Sequence, residues 1–145
     1  MNITVPLLAP TLEISFTVYG TPRPQGSTRA FMKPGMRFPV VTSDNRALKP
    51  WRQEITASAI ALKVLPFEKD IPVEITLNFY FTRPKSAKNR KGMTVRPDGD
   101  KLIRACLDSI KGVLIHDDAQ VVELHARKHY GGPERVTVEI RKAIV

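Results

Sequence analysis

A single cysteine in 145 residues excludes an intrachain disulfide, and with it the stapled scaffolds of small secreted proteins. No apolar run approaches the roughly 18 residues that would mark a spanning helix, so no membrane partner is expected. The N-terminal stretch "MNITVPLLAPTLEISF" has no basic start, and prolines interrupt what would be a signal peptide's apolar region. Cytoplasmic residence is the default expectation. Acid is scarce as well: 14 Asp and Glu face 23 Lys and Arg, a net charge of +9 with a pI near 10.0. Such a surface suits a polyanion, although charge alone does not separate nucleic acid from an acidic membrane. At this length the chain can bury one core and not two, which predicts a single domain over residues 1–145.

Hydropathy periods give the order of elements. "EISFTVY", Glu13 to Tyr19, alternates with Ile14, Phe16 and Val18 on one face and reads as a strand. Residues 1–12 precede it as an N-terminal extension. "GTPRPQGSTR" then breaks regular structure and carries Arg23 and Arg29, and an apolar piece around Phe38 to Thr42 suggests an extra strand. Leu48, Trp51, Ile55, Ala59 and Leu62 recur at helical spacing, with Pro50 tolerated only near the helix start. "VEITLNFYF" is the clearest strand, with Val73, Ile75, Leu77, Phe79 and Phe81 on one side. Leu102, Ile103, Cys106, Leu107 and Ile110 mark a second helix that stops at Gly112, and Cys106 on its apolar face reads as a packed thiol rather than a nucleophile. "QVVELHARKHY" and "RVTVEIR" read as two strands around the turn "GGPE", with His125 and His129 on the outer face. The expected fold is a mixed α/β (α+β) domain, one mixed sheet packed with two main helices.

Two local charge patterns stand out against that frame. Residues 83–97 form a basic loop with Arg83, Lys85, Lys88, Arg90, Lys91 and Arg96 and no acid. Directly after it the acids gather at Asp98, Asp100, Asp108, Asp117 and Asp118. Asp98 and Asp100 flank Gly99, and in an extended segment two such carboxylates face one point; equally, they suit a turn and a helix N-terminus. Asp100, Arg104 and Asp108 form one polar stripe, which could be a solvated face or could lead to a site. "HDD", His116 to Asp118, could be a polar turn or could return near the helix start. If Asp98, Asp100 and Asp118 converge, each pair of bare carboxylates about 5 Å apart repels by roughly 3 kcal/mol at an effective dielectric of 20. Convergence therefore needs a cation or raised pKa values, and all-oxygen ligands suit Mg²⁺ or Mn²⁺.

Taken together, "GTPRPQGSTR", "FYFTRPKSAK", "RPDGDKLIRACLDSIKGVLIHDDAQV" and "KHYGGPERVTVEIR" are similar to the RusA family of Holliday-junction resolvases, small endodeoxyribonucleases of bacteria and their phages. The likeness runs from about Glu13 to Arg141. It implies that Asp98, Asp100 and Asp118 are catalytic, metal-binding carboxylates, that Asp117 and Asp108 occupy further acidic positions, and that the active form is a homodimer. Two positions depart from the family pattern. Lys101 stands where Asn is usual, and Arg104 replaces a lysine. Arginine keeps the charge but does not readily give up a proton, so Arg104 is expected to stabilise charge rather than act as an acid.

The expectation is therefore a Mg²⁺-dependent nuclease, with Mn²⁺ as a possible substitute, acting on four-way DNA junctions in recombination and repair. Asp98, Asp100, Asp118 and Arg104 would form its catalytic set, Asp117 would join the metal ligands, and the six cations of the basic loop would hold phosphates. The rival is a noncatalytic DNA-binding phage protein of the same fold, to which the departures at Lys101 and Arg104 point. Three central acids argue against that rival, since a binder gains nothing from carboxylates facing phosphate.

Overall fold

The strand expected from "VEITLNFYF" forms over Val73–Phe81 (β4) and lies at the centre of the protein. The computed structural model describes residues 13–26, 28–32, 34–43 and 46–145, so the N-terminal extension lies outside the described residues. Val73, Ile75, Leu77 and Phe79 are almost completely buried, and burying each such side chain stabilises the fold by about 1.5–3 kcal/mol. Glu13–Tyr19 (β1), Val121–Tyr130 (β5) and Arg135–Lys142 (β6) complete a sheet of order β1-β6-β4-β5. β6 pairs antiparallel with both β1 and β4, so that Val138 lies opposite Phe16 on one side and Leu77 on the other. β5 pairs with β4 in parallel and forms one edge.

Parallel neighbours need a crossover connection, and Gly99–Ile110 (α2) supplies it. Its Leu102, Ala105, Cys106, Ser109 and Ile110 are buried while Asp100 and Arg104 are exposed, the partition that the sequence period predicts. Gly112 follows at φ +83°, a left-handed conformation that glycine adopts without strain. The first helix is Leu48–Ala61 (α1), buried through Leu48, Trp51, Ile55 and Ala59. Pro50 falls in its first turn, where no intrahelical donor is needed. Both helices join the cluster that covers one face of the sheet. The opposite face carries Glu74, Thr76 and Asn78 of β4 beside Glu123, His125 and Arg127 of β5. His129 lies there too, bonded to Asn78 at 2.7 Å and stacked on Tyr80.

One expectation is corrected by the hairpin after β1. The stretch read as a continuous loop contains Thr28–Phe31 (β2), which pairs antiparallel with Val40–Ser43 (β3) in a separate two-stranded sheet. The extra strand expected around Phe38 to Thr42 forms at Val40–Ser43, and Phe38 itself is exposed. Among the described residues no helix is long and apolar enough to cross a membrane.

Candidate active site

Because α2 runs back against β4, the loops fall into two groups at opposite ends of the sheet. At the C-terminal end of β4 meet residues 20–26, 82–98 and 131–134, tied by Gly131 N donating to Phe81 O at 2.8 Å and Gly20 N to Glu134 O at 3.0 Å. At the other end meet residues 67–72 and 111–120, tied by Phe67 N donating to Leu114 O at 2.9 Å.

Asp98 and Asp100 belong to the first group. Asp98 holds the N-cap position of α2 in an extended conformation, yet its side chain makes no capping hydrogen bond. The helix N-terminus reading thus holds in position and in the favourable dipole, but no capping bond occupies the Asp98 carboxylate, which is exposed. Asp100 sits in the first helical turn rather than in an extended segment, with Lys101 Nζ 3.9 Å from its Oδ2. The segment leading to Asp98 is held by Lys128, whose ammonium donates to Val95 O at 2.8 Å and Pro97 O at 3.0 Å. Distance along β5 sets Lys128 apart from Asp118 in the sequence, but it does not reveal that the lysine reaches the segment before Asp98. A signal for that contact was available: a lysine of β5 on the same sheet face as Leu77 and Phe79 has to find acceptors on that side.

Asp117 and Asp118 belong to the second group. Asp117 caps a short 3-10 turn, Asp118–Gln120, by accepting from Ala119 N at 3.0 Å. That bond, helped by Lys111, holds its carboxyl below the usual carboxylate range. Buried Gln120 locks the turn. Its Oε1 accepts from His116 N at 2.7 Å and Asp117 N at 3.2 Å, while its Nε2 donates to Glu68 O and Ile71 O. The turn so fixed buries Oδ1 of Asp118 without a hydrogen-bond partner among the described residues. A carboxyl oxygen shielded from water without a donor is a standing cost that a cation or donor would relieve.

The two acidic groups do not meet within one chain. α2 has 12 residues between them, about 18 Å at 1.5 Å per residue. Return of "HDD" to the start of the helix is thus corrected: a helix cannot bring its own two ends together, and β5 departs from the end where α2 stops.

A profile of the endodeoxyribonuclease RusA family matches residues 19–141. The chain belongs to the RusA family. It is 32% identical over 142 residues to an uncharacterised protein, YqaN, of Bacillus subtilis, covering 89% of this chain and 96% of that protein. It is also 29% identical over 75 residues to a crossover junction endodeoxyribonuclease of Lactococcus phage r1t, covering 51% of this chain and 57% of the phage protein.

In this RusA-family chain the basic loop divides by role. Arg83 donates to the carbonyls of Ala87 and Arg90 at 2.8 and 2.6 Å and lies 4.3 Å over the Tyr130 ring. Arg90 donates to the Tyr130 hydroxyl at 2.7 Å. These two arginines shape the loop through those bonds; Lys85, Lys88, Lys91 and Arg96 are exposed on it. Arg104 is exposed on α2 one turn after Asp100, and Asp108 is half-buried a turn beyond it.

One other group of metal-capable side chains comes together among the described residues. Glu74, Glu123 and His125 offer ligand atoms within 4.8 Å of one another on the polar face of the sheet. Arg141 already grips both Glu74 oxygens at 3.0 Å each, however, and holds the Glu74 carboxyl below its ordinary pKa. A cation there would have to displace a two-pronged guanidinium contact.

Proposed function

We propose that the protein is a Mg²⁺-dependent endodeoxyribonuclease that resolves four-way DNA junctions by paired nicks, acting as a homodimer in the cytoplasm of a bacterium, encoded there or by a prophage. Each reaction centre takes Asp98 and Asp100 from one copy and Asp118 from the other. The observation that carries this reading is Oδ1 of Asp118, buried with no hydrogen-bond partner among the described residues, past the C-terminus of a 12-residue helix whose opposite end carries Asp98 and Asp100. Carboxylates alone, without Cys or paired His, are donors for a hard cation. A second copy is also what the edge of the sheet favours. Among the described residues β5 is unpaired on one side, and it exposes 56% of Val122 and 40% of Leu124, so two edges can pair and cover apolar surface.

Bound Mg²⁺ would supply activation of water and stabilisation of charge at phosphorus, with Mn²⁺ a plausible chemical substitute. The chain's own residues do the rest. Lys128 holds the approach to Asp98 in place, and Asp117 and Gln120 fix the turn that presents Asp118. Arg104 keeps its charge throughout and stabilises the transition state without transferring a proton. Lys85, Lys88, Lys91 and Arg96 grip phosphates and offset the repulsion between DNA and the acids, while Arg83 and Arg90 hold the loop that carries them.

Labelled four-way junction, duplex and single strand, each incubated with the protein with and without Mg²⁺ or Mn²⁺, test the reading. Paired nicks confined to the junction and dependent on metal are expected. Junction binding without nicking in either metal would decide for a noncatalytic DNA-binding protein.

A further inference from the structure

Beside Asp98 lies a cavity of about 670 Å³. It falls within the range of about 300–1,000 Å³ typical of ligand sites. Phe81, Met93, Val95, Pro97 and Tyr130 give it apolar walls, and Arg23, Arg96 and Lys101 contribute cations to its lining.

The walls are built rather than incidental. Gln25 N donates to Lys101 O at 2.9 Å and fastens the loop after β1 to α2. Glu134 accepts from Thr21 Oγ1 at 2.6 Å and from Thr82 N at 3.0 Å, joining that loop to the end of β4. Lys128 pins Val95 and Pro97, and the Tyr130 ring is held by Arg83 over it and Arg90 at its hydroxyl. Inside this frame the side-chain oxygen of Gln25 is buried and has no hydrogen-bond partner among the described residues. An unpaired buried acceptor is a standing cost that an incoming donor removes.

We propose that the cavity receives one unpaired nucleobase of the bound strand, adjacent to the phosphate that faces Asp98. A base has a flat apolar face for the Phe81, Met93 and Tyr130 walls and N–H donors on its edge for Gln25. Its own phosphates satisfy the surrounding cations, which an uncharged apolar ligand would leave unmatched. Extruding a base in this way is a known means of distorting DNA at a site of chemistry. The assignment deepens the reading of the protein as a DNA enzyme and rests on it.

The test is photocrosslinking of the full-length protein, without divalent metal, to four-way junctions carrying 5-iododeoxyuridine at successive nucleotides around the crossover. One position should crosslink to the peptide containing Tyr130 or Met93. Val95→Trp, which fills the cavity from a position 42% exposed, should abolish that crosslink. In parallel, replacing the base at that nucleotide with difluorotoluene, an apolar thymine isostere, should weaken wild-type binding about fivefold, the scale of one hydrogen bond. Gln25→Met should erase the difference between the two bases. Crosslinks confined to residues 83–91, or unaffected by Val95→Trp, would overturn the pocket, as would base discrimination that survives Gln25→Met. A protein that nicks junctions but crosslinks only elsewhere would sink the pocket and keep the nuclease. One that crosslinks at Tyr130 and never nicks would do the reverse, and one that binds no junction would sink both.

Discussion

Asp98 and Asp118 stand at opposite ends of α2, one at its N-cap and the other beyond its C-terminus in the turn that opens β5. Neither can reach the other within a chain, although both carry carboxylate oxygens free for a ligand. On the reading proposed above, that separation makes association of two copies part of the chemistry rather than an accessory to it.

Lys128→Met should lower cleavage by about ten- to a hundredfold, the usual cost of losing a group that orients a metal ligand. The ammonium's bonds to Val95 O and Pro97 O hold the segment before Asp98, so the variant should also show faster amide exchange over residues 94–99. Unchanged exchange with unchanged cleavage would remove Lys128 from the account.

Phosphate contacts should dominate affinity. Log affinity for junction arms should fall against log salt by roughly 0.9 per phosphate contact, and replacing Lys85, Lys88 and Lys91 with Ala should flatten the slope. Arg83→Ala should act differently, loosening the loop through its lost bonds to Ala87 and Arg90. An identical slope in the triple variant would place the DNA surface elsewhere.

The Glu74–Arg141 pair should give stability that depends on pH. Arg141 holds the Glu74 carboxyl below its ordinary value of 4.5, so folding favours the ionised form. The resulting stabilisation is fully present above the unfolded pKa and is lost as pH falls through the lowered folded value. Thermal melts of wild type and Glu74→Gln should therefore differ at pH 7 and converge toward pH 3. A gap that persists at low pH would point to packing instead of charge.

Cys106 should be inert in the native state. Burial pushes its thiol up to about 12, leaving almost no thiolate at neutral pH. A disulfide dye should react only after denaturation, and rapid labelling of the native protein would show that the α2 interface opens.

Much of the fold is legible in the sequence where the period is long. Nine alternating residues announce β4, and the stripe of Leu102, Cys106 and Ile110 announces α2 with its exposed Arg104. The β2–β3 hairpin is not legible, because four-residue strands after a Pro- and Gly-rich loop carry too little alternation to stand out. The acids were recognisable by type and spacing, but their separation is a long-range property. It depends on β5 lying parallel to β4, which forces α2 to run back between them. Arg83 and Arg90 looked like four of their neighbours because composition cannot tell a guanidinium that binds phosphate from one folded onto backbone carbonyls.

The composite site is tested most directly by mixing. Asp98→Asn and Asp118→Asn should each lose at least about a hundredfold in cleavage, the scale of losing a group that stabilises the transition state, with junction affinity kept. A co-expressed pair, purified through two different tags as the mixed dimer, carries one centre with both acids intact and one with neither. It should regain nicking of a single strand per junction. A mixed dimer as inactive as its two parents would contradict the account, because it would mean that each centre draws all its acids from one chain.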